Sequence, residues 1–140
     1  MSTATTFPRS PKDEIDGIPY FPRMVDKIRK FAAGELHEDY HKNLGKALDL
    51  WTCQLLKIEY SELVDFVQGG ATDEEALAWS FEKGGKPEAT VKEWWCSYAR
   101  NRGFRDDLSE KLELRKAEAG MADRHDICSF FDFMDAEEGR

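Results

Sequence analysis

Short apolar stripes, each closed by glycine, constrain this chain more than any other feature. Phe21, Met24, Val25, Ile28, Phe31 and Ala32 recur at three- and four-residue steps, the period of one helical face, and Gly34 follows as a stop. This predicts a first helix over about residues 22–33. A second runs over about 44–56 and buries Leu44, Leu48, Trp51 and Leu55, and a third covers about 61–68 before Gly69-Gly70. Thr72 and Glu75 form a capping box, each satisfying the other's exposed amide, for a fourth helix that Gly84-Gly85 ends. Thr90 to Glu93 offers a similar box for a fifth, unless Pro87 starts that helix earlier, with Val91, Trp94, Trp95 and Tyr98 as its buried stripe. A sixth helix spans about 107–119 around Leu108 and Leu112. Asp126 caps a seventh, carrying Ile127, Phe130, Phe131 and Met134.

Glu35 to Asn43 lacks a period and reads as a loop, and no segment alternates like a strand. The expectation is an all-α fold, a compact single-domain bundle of about six or seven short helices over residues 18–140. An extended N-terminal arm, 1–17, precedes it, because Pro8 and Pro11 break any periodicity there.

With 140 residues, 41 % of them hydrophobic and 12 % aromatic, the chain can fill one core without staples. Its net charge of −8 opposes nonspecific binding to nucleic acid or an anionic membrane, since both need a positive field. No apolar run approaches the roughly 20 residues of a membrane span. Met1 to Thr6 lacks the basic end and apolar stretch of a signal peptide, so a cytoplasmic location is expected. Cys53, Cys96 and Cys128 form no Cys-x-x-Cys pair and read as buried thiols of a reducing compartment. His125 lies three residues before Cys128, but a catalytic thiol needs a basic environment and Asp126 stands between them.

Three groups of residues could carry chemistry. His37-Glu38-Asp39-Tyr40-His41 matches the H-E-x-x-H zinc pattern. That chemistry needs both histidines on one packed helical face, whereas Gly34 has just ended a helix and Asp39 adds a charge, so no metal is expected. Arg9, Arg23, Lys27, Arg100, Arg102 and Arg105 form a basic set suited to carboxylate or phosphate capture. The alternative is local pairing: Arg23 with Asp26, Asp26 with Lys30, Arg105 with Asp106 or Asp107. Residues 121–140 hold six carboxylates against two arginines, half of the net charge, and read as a solvated face or as an end that docks on the basic elements. Trp51, Trp79, Trp94 and Trp95 belong to helix stripes, with adjacent Trp94 and Trp95 covered only in part. No phosphate-cradling loop, Ser/His/Asp order or dinucleotide fingerprint occurs, and no cofactor is expected.

The motifs Pro8-Arg9-Ser10-Pro11, Gly17-Ile18, and Pro22 through Arg29 with Gly34 and Tyr40 form a recognisable series. It continues with Asn43-Leu44-Gly45-Lys46, Asp49, Gly70 through Glu75, Trp79, Arg102 through Asp106 and Asp135 through Arg140. In combination they resemble a bacterial domain-of-unknown-function family, number 5069, over nearly the whole chain. The resemblance implies no activity, substrate or cofactor. It includes Tyr40 but not His37, and this chain departs from it at Trp95-Cys96, where a more polar residue is expected.

The candidate binding residues are therefore Arg9, Arg23, Asp26, Lys27, Tyr40, Asp49, Arg102, Arg105 and Asp106. The leading expectation is a non-enzymatic helical domain that binds a protein partner or a small anionic ligand through Arg23/Lys27 and Arg102/Arg105. The alternative is an enzyme on an anionic substrate, with Asp26 or Asp49 as general base beside Lys27 and Tyr40. A third is a homo-oligomeric structural protein associating through Trp94 or Trp95.

Overall fold

The computed structural model describes residues 7–140, and the first residues of the expected arm, 1–6, lie outside them. Among the described residues, seven α-helices and one 3-10 helix predominate, and the fold is all-α apart from one minimal hairpin. In that hairpin β1 (Glu14–Ile15) pairs antiparallel with β2 (Ile18–Pro19). Asp16 and Gly17 turn the chain with φ of 51° and 74°. Positive φ at both central positions is the turn that an Asp-Gly pair supplies most readily, and it matches the twist of paired strands. The hairpin straddles the boundary expected at residue 17 and ties the described part of the arm to the body.

Helix α1 (Phe21–Ala32) starts one residue after Tyr20, which stands in a left-handed conformation with φ 73°. Every residue from Phe21 to Ile28 is buried, including Arg23, Asp26 and Lys27. A helix buried on all sides for two turns is a central element, and α1 packs on β1, α3 and α4. The segment expected as a loop instead forms a 3-10 helix, Glu38–Asn43. After it, Gly45 (φ 76°) and Ala47 (φ 52°) both take positive φ, and this turn delays α2 to Leu48–Leu56. α3 (Tyr60–Gln68) ends at Gly69, and α4 (Asp73–Gly84) carries the Thr72/Glu75 capping box, at 2.9 and 3.1 Å.

The expected box at Thr90 does not form, since α5 (Ala89–Asn101) already begins at Ala89 with no side-chain cap. Its packed face is Trp95, Cys96 and Ala99, whereas Val91, Trp94 and Tyr98 stay exposed at 41 %, 67 % and 45 %. The stripe is rotated from expectation because β2 and the hairpin turn claim the Cys96 side, with Cys96 Sγ 3.5 Å from the Gly17 carbonyl. α6 (Ser109–Glu118) and α7 (Phe130–Glu137) follow. Ser129, not Asp126, caps α7 by accepting from the Asp132 amide at 3.2 Å, while Asp126 is held by Arg124.

The main core joins Phe21, Met24, Val25, Leu56, Leu63, Val67, Leu77 and Phe131. A smaller cluster of Leu112, Ile127 and Phe133 sits between α6 and α7. The end of α4 lies against the end of α2 so closely that a Cβ on Gly84 would stand 1.8 Å from the Leu56 carbonyl oxygen. Gly84→Ala must push two backbones apart and is expected to destabilise the fold by about 3 kcal/mol. Urea unfolding against the parent protein measures this.

Candidate functional site

Arg23 and Lys27 stand four residues apart on one face of α1, and Tyr20, the left-handed residue just before the helix, brings its hydroxyl to the same side, within 2.9 Å of Lys27 Nζ. A cavity of about 870 Å³ opens there, walled by the 3-10 helix, α2, α6 and α7. Seven cationic side chains and three carboxylates line it. Within a chain of net charge −8 this is a local inversion of sign. The cavity wall also holds Phe7, Tyr20, Tyr40, Trp51, Phe130 and Phe133.

Lys27 Nζ lies 2.8 Å from Asp49 Oδ1 and 2.9 Å from the Tyr20 hydroxyl, to which it donates. The Tyr20 hydroxyl donates to the same Asp49 oxygen at 2.7 Å, and the Gly45 amide donates to Asp49 Oδ2 at 2.9 Å. All three side chains are buried, Asp49 completely. Burial pulls the Lys27 amine below its ordinary value, and the Asp49 charge and hydrogen bond only partly restore it. Burial, then the Asp49 charge, pushes the Tyr20 phenol well up, so it remains a donor.

Arg23 makes a two-pronged bond to Glu138, at 2.9 and 2.8 Å, and donates to the Arg9 carbonyl. Tyr40 adds a hydrogen bond to Glu138 at 2.7 Å, and Arg140 another at 2.6 Å. Burial works against the Glu138 charge, but Arg23, Tyr40 and Arg140 together hold its carboxyl below the usual range. The acidic end therefore docks on the basic elements. The Nε–H groups of Arg23 and Arg102 are buried without a partner among the described residues.

Arg102 stacks on Trp51 and Tyr98, 5.2 and 5.1 Å from their centroids, and binds Asp106 and Asp107 at 3.0 and 2.6 Å. Asp106 itself closes a turn by accepting from the Gly103 and Leu108 amides. Arg105, expected beside these carboxylates, is exposed with φ 52° and lies over the Phe104 ring instead. The left-handed residue turns its side chain out, and Arg102 takes both aspartates. Asp26 pairs with Lys30 as expected, at 2.9 Å, but Arg23 reaches Glu138 instead of Asp26.

The structure thus brings Arg23, Lys27, Tyr40 and Arg102 to one cavity, with Asp49 behind Lys27. Arg9 pairs with Asp13 and Asp73 away from it, and Asp26, Arg105 and Asp106 do not line it. Sequence reasoning missed Tyr20 and the exposed Lys42, Lys46 and Lys111. The Tyr20-Arg23-Lys27 spacing was the available signal for the first. In the H-E-x-x-H segment, His37 accepts from the Asp39 amide, and a His41 ring nitrogen lies 2.9 Å from the Leu36 carbonyl. The 3-10 geometry does not stack residues four apart on one face.

The family model for a domain of unknown function, DUF5069, matches residues 5–140. The chain belongs to this family. No curated protein matches it. Four of the candidate binding residues, Arg23, Lys27, Tyr40 and Arg102, meet at the cavity of this DUF5069 chain.

Asp49→Asn leaves the buried Lys27 ammonium without its counter-charge and is expected to destabilise the fold by about 3–5 kcal/mol. Lys27→Met with Asp49→Leu should recover most of that loss in denaturant unfolding. Glu138 has a lowered folded pKa, so its contribution is complete above the ordinary 4.5 and is lost as pH falls below it. Melting temperatures of the parent should therefore drop below about pH 4.5. Glu138→Gln should start lower at neutral pH and lack that component.

Proposed function

We propose that this domain binds a small organic anion with an aromatic or apolar body in the cavity beside α1. The observation that carries this reading is the concentration of seven cationic and six aromatic side chains in one concavity of an acidic protein. Its volume falls within the roughly 300–1,000 Å³ of small-molecule sites. Arg23 and Arg102 already hold carboxylates of the chain and form the wall. The charges left for a ligand are Lys42, Lys46 and Lys111, which line the cavity, are exposed and make no ion pair among the described residues. Trp51, Phe130 and Phe133 suit the ligand's apolar body. A concave site of this size favours a small molecule over a protein partner.

An enzymatic reading has one observation in its favour, the Lys27–Tyr20–Asp49 group at hydrogen-bond distances with a depressed amine. It replaces the expected Tyr40 by Tyr20 and leaves out Asp26. Cys53 and Cys96 are buried free thiols, which suits a reducing, cytoplasmic setting, although Cys128, expected to be buried, is exposed.

Calorimetry with 4-(hydroxymethyl)benzoate and with phenyl phosphate tests the binding reading. Lys42→Glu/Lys46→Glu/Lys111→Glu should weaken binding by about tenfold or more, with the unfolding midpoint unchanged. Arg105→Glu, outside the cavity, should leave binding as it was. Absence of binding by either probe, or equal loss in the Arg105 variant, would overturn the reading.

A further inference from the structure

The geometry points to Lys27 as an imine-forming amine that captures a carbonyl-bearing organic anion, an aldehyde or ketone carrying a carboxylate or phosphate. The inference rests on the anion-binding reading and names the reactive group of its occupant. Lys27 Nζ carries three hydrogens as an ammonium. Tyr20 and Asp49 accept from it, no further acceptor exists among the described residues, and the side chain lines the cavity. One N–H of the ammonium therefore has no acceptor among the described residues. Arg23 stands one turn away on the same helix, and burial together with this neighbouring cation favours the free amine, as in other nucleophilic lysines.

The two groups beside the nitrogen suit the proton transfers. Asp49, 2.8 Å away, can accept the ammonium proton, and the neutral amine then adds its lone pair to the carbonyl carbon. The resulting hydroxyl leaves as water, with protons returned through Tyr20 and Asp49, which already share a hydrogen bond of 2.7 Å. Ammonium plus carbonyl becomes protonated imine plus water. No electron is transferred and no net proton is released. The positive charge stays on nitrogen, so Asp49 keeps its counter-ion in the buried site throughout. A structural ion pair needs only the Asp49 contact, whereas Lys27 also belongs to the wall of the cavity in which a ligand would sit. The unpaired Lys42, Lys46 and Lys111 receive the anionic end, and the aromatic wall receives the body between.

The test uses the intact protein at neutral pH with 4-formylbenzoate and sodium cyanoborohydride, which reduces the imine to a stable amine. A single 4-carboxybenzyl group should appear in the mass spectrum and map to Lys27. An excess of 4-(hydroxymethyl)benzoate should slow this labelling about tenfold. Lys27→Arg, which keeps a charge against Asp49, should abolish it; if that variant does not fold, the site map of the parent decides alone. Label confined to exposed lysines, with Lys27 unmodified while 4-(hydroxymethyl)benzoate binds, overturns the imine and leaves anion binding standing. If 4-(hydroxymethyl)benzoate fails to bind and Lys27 stays unmodified, both readings fall.

Discussion

Lys27 and Asp49 meet at 2.8 Å with almost no exposure to solvent, and this pair governs how α1 and α2 are arranged. Burying an isolated ammonium or carboxylate is opposed by several kcal/mol of lost hydration, which only close pairing and full hydrogen bonding offset. A central helix that carries a lysine into the interior can therefore exist only if another element delivers a carboxylate to it. α2 does so from its first turn, where Asp49 also accepts the Gly45 amide and fixes the preceding turn. That turn in turn closes the 3-10 helix that brings Tyr40 and Lys42 to the cavity.

The second constraint is of the same kind. Arg23, one turn earlier on α1, is buried and takes Glu138 from just beyond α7 as its partner. Around this contact the two ends of the described chain interlock. Arg140 reaches both Glu138 and the Pro8 carbonyl, Ser10 reaches Asp135, and the Arg9 carbonyl accepts from Arg23. One face of α1 thus organises the floor of the cavity through Lys27 and a wall of it through Arg23. The cavity exists because these charges need partners that approach from different elements and leave space between them.

How much of this was legible depended on the range of the interaction. Thr72 and Glu75 lie three residues apart, and their box reads directly from the chain, as do the glycine stops after α1, α3 and α4. Asp26–Lys30 was readable for the same reason. The hairpin was local too, and its Asp16-Gly17 signal was present, but two-residue strands have no alternation to reveal them. The sequence placed the α7 cap at Asp126, but the chain reaches the helix three residues later and Ser129 takes that role, while Arg124 holds Asp126. The face of α5 could not be read, because the β hairpin covering Cys96 comes from far earlier in the sequence and outcompetes the more apolar Trp94 side. The charged residues divided in the same way. Four of the sequence's candidates converge at the cavity, while Arg105 turns away because one positive φ redirects its side chain. Nothing within a short window could have assigned Glu138 to Arg23.

That last separation shapes the order in which the molecule can form. Translation releases α1 early, whereas the carboxylate that neutralises Arg23 comes 115 residues later. Until it emerges, the guanidinium has no buried counter-charge, so the face of α1 that carries it gains by staying in water. The apolar face can already collect α3 and α4. Folding on the ribosome is therefore split between two faces of a single helix, one assembled early in synthesis and the other sealed only after the distant segment that carries Glu138 has emerged.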